Sequence, residues 1–150
     1  IASRLHDIGK IYVPSEFLTR PGRLTEEEFN VIKMHPVIGF DILKDIEFPW
    51  PVAAIVLQHH ERFDGSGYPF GLTANEMMTE AQILAVSDTV ETIATDRPYR
   101  KTLGLQYALE LILKERGKSL DPGVVDACLD IFFKDGYELN NPELHIDGLI

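Results

Sequence analysis

Apolar residues recur along this chain at three- and four-residue spacings, and the strict alternation that marks strands is almost absent. Two helical stretches are clearest. One is Glu80 to Ala94, with Ile83, Leu84, Val86, Val90 and Ile93 apolar. The other holds Leu105, Ala108, Leu109, Ile112 and Leu113 and is closed by Gly117. Asp121 followed by Pro122 is an N-cap with proline in the first helical position, and it launches a helix from Gly123 to Lys134. Thr25 and Glu28 form a capping box ahead of Phe29, Val31 and Ile32, which predicts a helix up to Met34. Pro36 ends or restarts that helix, so Val37 to Leu43 is expected as a separate short one, closed near Asp45. Pro51 opens a further helix, Val52 to Glu61, apolar nearly all round and therefore expected at the centre. Ile1 to Ile8 reads as the end of a helix stopped by Gly9.

Breakers mark the remainder. Lys10 to Leu24, with Pro14, Pro21 and Gly22, reads as a loop with room for one turn, and Arg62 to Leu72, with Gly65, Gly67, Pro69 and Gly71, as a second loop. From Gly136 onward the periodicity fades into a polar tail. The pattern therefore predicts an all-α, compact helical bundle, with one domain over residues 1–135 and a tail of unassigned structure over 136–150. A length of 150 residues with 45% hydrophobic content suits one core and is too short for two ordinary ones. The chain opens at Ile1 directly on a motif, so missing upstream elements are expected and no targeting signal can be read.

Charge narrows the function classes. Fourteen Lys and Arg against 24 Asp and Glu give a net charge of -10, a surface that repels duplex DNA. A phosphate-bearing substrate would need placed cations or metal ions. The most apolar run, Val52 to Leu57, falls far short of the roughly 18 residues of a membrane span, so neither DNA nor membrane contact is expected. The single cysteine, Cys128, cannot form an internal disulfide; it reads as a small core residue, and a cytoplasmic, reducing location fits it.

The candidate chemistry lies in short polar islands within apolar surroundings: His6-Asp7, His35, His59-His60 and Asp88. Imidazole and carboxylate are ligands for divalent ions, and the simplest common reading is a multinuclear metal site. Taken singly, each island stays open. The His59-His60 pair could be one buried and one solvent-facing histidine, and His6 a helix-terminal histidine in contact with the helix dipole. Asp88, which interrupts an apolar helix, could pair with an arginine such as Arg97 instead of a metal. Lys10 is either a phosphate contact or a solvated charge. No nucleophile and base are spaced for covalent catalysis: Ser3, Ser66 and Ser87 stand in no supporting motif. Glycines 65, 67 and 71 match no nucleotide-binding fingerprint and read as loop hinges.

Taken together and in order, His6-Asp7-Ile8-Gly9-Lys10, Arg20-Pro21-Gly22-Arg23-Leu24-Thr25, His35-Pro36, His59-His60-Glu61-Arg62, Asp64-Gly65-Ser66-Gly67-Tyr68-Pro69, Asp88 and Arg97-Pro98-Tyr99-Arg100 resemble the HD-GYP family, a branch of the HD-domain phosphohydrolases. The resemblance runs from Ile1 to about Phe133 and implies a cyclic di-GMP phosphodiesterase with two or three iron or manganese ions, yielding linear pGpG and further GMP. By position, His6, Asp7, His35, His59, His60 and Asp88 are implied metal ligands, with Asp7 as bridge. Lys10, Arg97 and Arg100 are implied phosphate contacts, Lys10 sharing in catalysis with Asp7, and Tyr68 is an implied ligand contact. Two such ions would lower the pKa of a shared water to about 7, giving a nucleophile in line with the leaving 3′ oxygen.

Two departures bear on this. The family has a further histidine, sometimes with a glutamate, upstream of the HD pair, and no such residue precedes His6 here. Glu91 stands where aspartate is more usual, so it is either an outer contact to the metals or a solvated carboxylate. The alternatives are a weakly active or noncatalytic module that binds cyclic di-GMP or a diguanylate cyclase partner, and a phosphohydrolase acting on other nucleotides or a mixed cyclic dinucleotide. An upstream regulatory domain is the further partner the family implies. His145 reads as a surface residue.

Overall fold

The computed structural model of the chain describes residues 1–95 and 103–139. They form an all-helical fold: α1 (Ala2–Leu5), a 3-10 helix (Ile8–Tyr12), α2 (Ser15–Thr19), α3 (Glu26–Ile32), α4 (His35–Leu43), α5 (Val52–Gln58), α6 (Thr79–Ala94), α7 (Leu105–Glu115) and α8 (Pro122–Phe133). No strand occurs among the described residues; the nearest approaches are two isolated bridges, between Asp64 and Thr73 at the expected loop and between Arg116 and Leu120.

The expected caps form. The Thr25 Oγ1 accepts from the Glu28 amide at 3.2 Å while the Glu28 carboxylate accepts from the Thr25 amide at 2.8 Å, so two orphan donors at the start of α3 are satisfied reciprocally. Asp121 accepts from the Val124 amide at 2.8 Å, with Pro122 in the first turn of α8. Helix ends differ from expectation where packing overrides local signals. α3 stops at Ile32, and α4 begins at His35, because Pro36 in its first turn lacks only a donor that would be unpaired there anyway.

Gly9 does not act as a stop. The first helix already ends at Leu5, and Gly9 lies buried within the 3-10 helix, pressed against α4. A Cβ at Gly9 would sit 2.0 Å from the His35 carbonyl oxygen and 2.7 Å from the Gly39 amide nitrogen. The segment after it, expected as a loop, also contains α2. α5 ends at Gln58, so His59 is its C-cap and His60 and Glu61 lie beyond the helix. The two histidines are therefore not consecutive residues of one helix, and their ring centroids are 4.0 Å apart.

Two apolar clusters hold the bundle. Leu43, Val52 and Val56 gather Leu5, Ile8 and Ile42 around the α4–α5 pair. Val86, Val90, Ile93, Ala108, Leu109, Ile112, Leu120 and Val125 join α6, α7 and α8. Ile55, Ala81 and Leu84 connect them across the seam between α5 and α6, with Ala2 of α1 packed against the same seam. Each fully buried side chain of this type contributes about 1.5–3 kcal/mol. Cys128 packs half-buried against the second cluster, and burial pushes its thiol up. No helix among the described residues is long and apolar enough to cross a membrane.

Candidate metal centre

The polar islands converge at the seam between the two clusters. His6 and Asp7 leave the end of α1, His35 opens α4, His59 and His60 follow α5, and Asp88 projects from the middle of α6. One ligand atom from each of Asp7, His35, His59 and His60 falls within 4.8 Å of all the others. His6 Nε2 lies 3.5 Å from Asp88 Oδ1 and 3.6 Å from Asp7 Oδ2, which brings all six sequence-selected residues into one site.

Three histidines are aimed by one device. The Nδ1 of His6 meets the Ser3 carbonyl at 2.7 Å, that of His35 the Ile32 carbonyl at 2.7 Å, and that of His59 the Val56 carbonyl at 2.6 Å. A carbonyl only accepts, so each Nδ1 carries the proton, and the neutral rings of His35 and His59 turn an Nε2 lone pair inward. His35 and His59 thereby face each other, Nε2 to Nε2, at 3.3 Å with no proton to share. Asp7 Oδ1 lies 3.4 Å from the same His35 nitrogen and is a buried oxygen without a hydrogen-bond donor. Three lone-pair atoms gathered around the His35 nitrogen repel one another unless a cation stands among them, so the donor set fits a divalent metal.

The electrostatics agree with that use. Burial holds His35 and His60 below the ordinary imidazole value, and holds His59 down to about 4, so these rings are neutral, the form in which imidazole can bind a metal. His6 is raised by its contact with Asp88. Burial opposes ionisation of Asp88, but that same contact prevails and keeps its carboxyl at about 2. Lys10 donates to Asp7 Oδ2 at 2.7 Å, so it is a paired and not a free charge.

Two openings reach the cluster. One, of about 570 Å³, is walled by Ser3, His6, Asp7, Leu84, Ser87, Asp88 and Glu91. Glu91 thus stands at the rim of the cluster, and it accepts a hydrogen bond from Thr95 at 3.0 Å. The other, of about 330 Å³, is lined by Lys10, His35, His60, Arg62, Tyr68, Asp88 and neighbours from α3 and α6. Tyr68 stacks on His60 with ring centroids 4.7 Å apart, and burial pushes its phenol well above the ordinary range. Arg97, Arg100 and His145 lie outside the described residues, as does an Asp88–Arg97 pair.

Glu61 is the residue that sequence reasoning passed over. It is fully buried, and its two oxygens accept from the Phe70 amide at 2.7 Å and the Leu72 amide at 2.9 Å. The loop carrying Tyr68 is thereby tied to the residue next to His60. Gly67 completes the clamp: a Cβ there would stand 2.4 Å from the Glu61 Cα and from the Arg62 amide nitrogen. It is a packing contact and not a hinge. The available signal was a carboxylate between two histidines and a glycine-rich loop with many unpaired amides.

The profile of the HD domain family matches residues 1–124. The chain is 44% identical over 131 residues to the cyclic di-GMP phosphodiesterase response regulator RpfG of Xanthomonas campestris, an overlap of 86% of this chain and 35% of that protein. It is likewise 44% identical over 132 residues to a cyclic di-GMP phosphodiesterase of Thermotoga maritima, covering 87% of this chain and 36% of the other. The chain thus spans about a third of the length of these relatives. Among solved structures, Bd1817 of Bdellovibrio bacteriovorus, an HDG"Y"P protein, superposes with a TM-score of 0.69 at 21% identity, over 87% of this chain and 42% of that one.

Proposed function

The chain belongs to the HD domain family, and on that premise we propose that it is the hydrolytic domain of a metal-dependent cyclic di-GMP phosphodiesterase, spanning residues 1–135, that opens the cyclic dinucleotide to linear pGpG. The observation that carries this reading is the set of converged lone pairs on His35, His59 and Asp7, with the imidazoles held neutral and aimed by backbone carbonyls. His6, Asp7, His35, His59, His60 and Asp88 would hold two or three divalent ions, iron or manganese, with Asp7 shared between them. When bound, such ions supply Lewis acidity and a nucleophile at neutral pH.

The chain's own groups do the remaining work. Lys10, fixed by Asp7 at 2.7 Å and facing the cavity of about 330 Å³, offsets charge that grows on the nonbridging phosphate oxygens. The carbonyl-bonded rings of His6, His35 and His59 keep the ligand set from reorganising during the reaction. Tyr68, held over His60 by the Glu61 clamp, closes one wall and presents an aromatic face to the dinucleotide. Arg97 and Arg100 are proposed phosphate contacts on the strength of the motif alone. A cytoplasmic location, with an upstream regulatory domain or a diguanylate cyclase domain as partner, fits a signalling role.

The test is turnover. Loaded with Fe²⁺ or Mn²⁺, the protein is expected to convert cyclic di-GMP to pGpG faster than it converts a mixed cyclic dinucleotide, and Asp7→Ala is expected to lower kcat by at least about 100-fold and to reduce bound metal. Turnover unchanged in Asp7→Ala overturns the assignment.

A further inference from the structure

In a chain of net charge -10, most cations are expected to find a carboxylate, and around the site Lys10 does so. Arg62 and Lys33 do not. Among the described residues neither makes an ion pair, although both are half-buried and come from separate elements. Arg62 lines the cavity of about 330 Å³ beside His60 and Tyr68, and its guanidinium makes one bond, to the Glu61 carbonyl at 3.2 Å, leaving most of its donor fork open. Its backbone is immobilised between the Glu61 clamp and the close approach of Gly67. Lys33, at the end of α3, holds its ammonium 4.8 Å from the Phe29 ring centroid and 5.9 Å from that of Tyr68. Among the described residues, two cations without an ion-pair partner therefore flank one aromatic wall of the cavity. Holding them half-buried costs solvation that an arriving anion would restore.

Resting on the phosphodiesterase reading, we infer that Arg62 and Lys33 form a second phosphate subsite, which holds the phosphodiester that is not being cut. A cyclic dinucleotide carries two phosphodiesters. The one at the metal ligands meets Lys10; for the other, besides whatever contact Arg97 and Arg100 make, the planar fork of Arg62 grips two phosphate oxygens at once. The Lys33 ammonium, already drawn to the Tyr68 ring, adds a point charge beside it. The subsite selects for ligands with two phosphates and gives single phosphodiesters no benefit.

The experiment measures equilibrium binding of cyclic di-GMP and of bis(p-nitrophenyl) phosphate to the Mn²⁺-loaded protein, over a range of salt concentrations. Arg62→Gln and Lys33→Gln are each expected to weaken cyclic di-GMP binding about tenfold and to reduce its salt slope by about one. Arg62→Lys should recover the slope but only part of the affinity. Binding of bis(p-nitrophenyl) phosphate should change far less, with Mn²⁺ content and the helical circular dichroism retained. Equal weakening of both ligands, or no weakening of either, overturns the subsite and leaves the enzyme reading standing. Failure of the unaltered protein to bind cyclic di-GMP overturns both.

Discussion

At the scale of single residues, the site depends on groups whose partners are few and fixed. The three Nδ1-to-carbonyl bonds each reach back three residues, so each ring is aimed by its own turn of chain. Glu61 works by the same economy in the other direction, a buried carboxylate that satisfies two amides of the Tyr68 loop. Replacing it by alanine leaves both amides without acceptors, and each orphaned donor costs about 1–3 kcal/mol. Glu61→Ala should therefore lower the denaturant midpoint and raise KM for cyclic di-GMP, while Glu61→Gln, which keeps one acceptor, should fall between. A midpoint unchanged in Glu61→Ala in chemical denaturation would show that the clamp contributes nothing.

At the scale of elements, the 3-10 helix and α4 bring Asp7 and His35 together, because the backbone at Gly9 touches the backbone of α4 directly. Any side chain at this point must push the two apart. Gly9→Ala is expected to destabilise the fold by about 1–3 kcal/mol through overpacking, and to lower metal content more than Thr25→Ala does. The latter substitution removes a cap worth about 1 kcal/mol at an exposed helix start remote from that contact. Thermal melts and metal analysis of the two purified variants separate the effects; equal metal content in both would contradict the role given to Gly9.

At the scale of the whole molecule, the proposed ligands sit on elements of both apolar clusters, so a bound ion would tie the α4–α5 half to α6 across their seam. Anything that binds only the folded state stabilises it, by about 2.7 kcal/mol at a hundredfold excess over Kd, and chelation should lower the melting temperature accordingly. The metal-free protein should also be acid-sensitive. Burial depresses His59 from 6.5 to about 4, so below pH 6.5 the unfolded chain binds the extra proton first. Stability is present above pH 6.5 and is lost as the pH falls toward 4. His6, raised by Asp88, works in the opposite sense. Melting curves of the chelated protein between these values check the sign.

Local signals determined what local energetics control. Thr25 with Glu28 and Asp121 with Pro122 set helix starts, since capping is settled within four residues, and the periodicity of Ile83 to Ile93 predicted α6 to within one residue of its start. The motif residues His6, Asp7, His35, His59, His60 and Asp88 were legible because buried polar groups in apolar surroundings demand a reason. Tertiary structure alone decided the rest. Gly9 and Gly67 look like breakers in the sequence and are contacts in the fold, because a missing Cβ serves either purpose and only the neighbour, distant along the chain, tells which. The ends of α1 and α5, the role of Glu61 and the half-buried cations Arg62 and Lys33 flanking Tyr68 likewise follow from which surfaces meet. Periodicity records that a face is buried, but not against what.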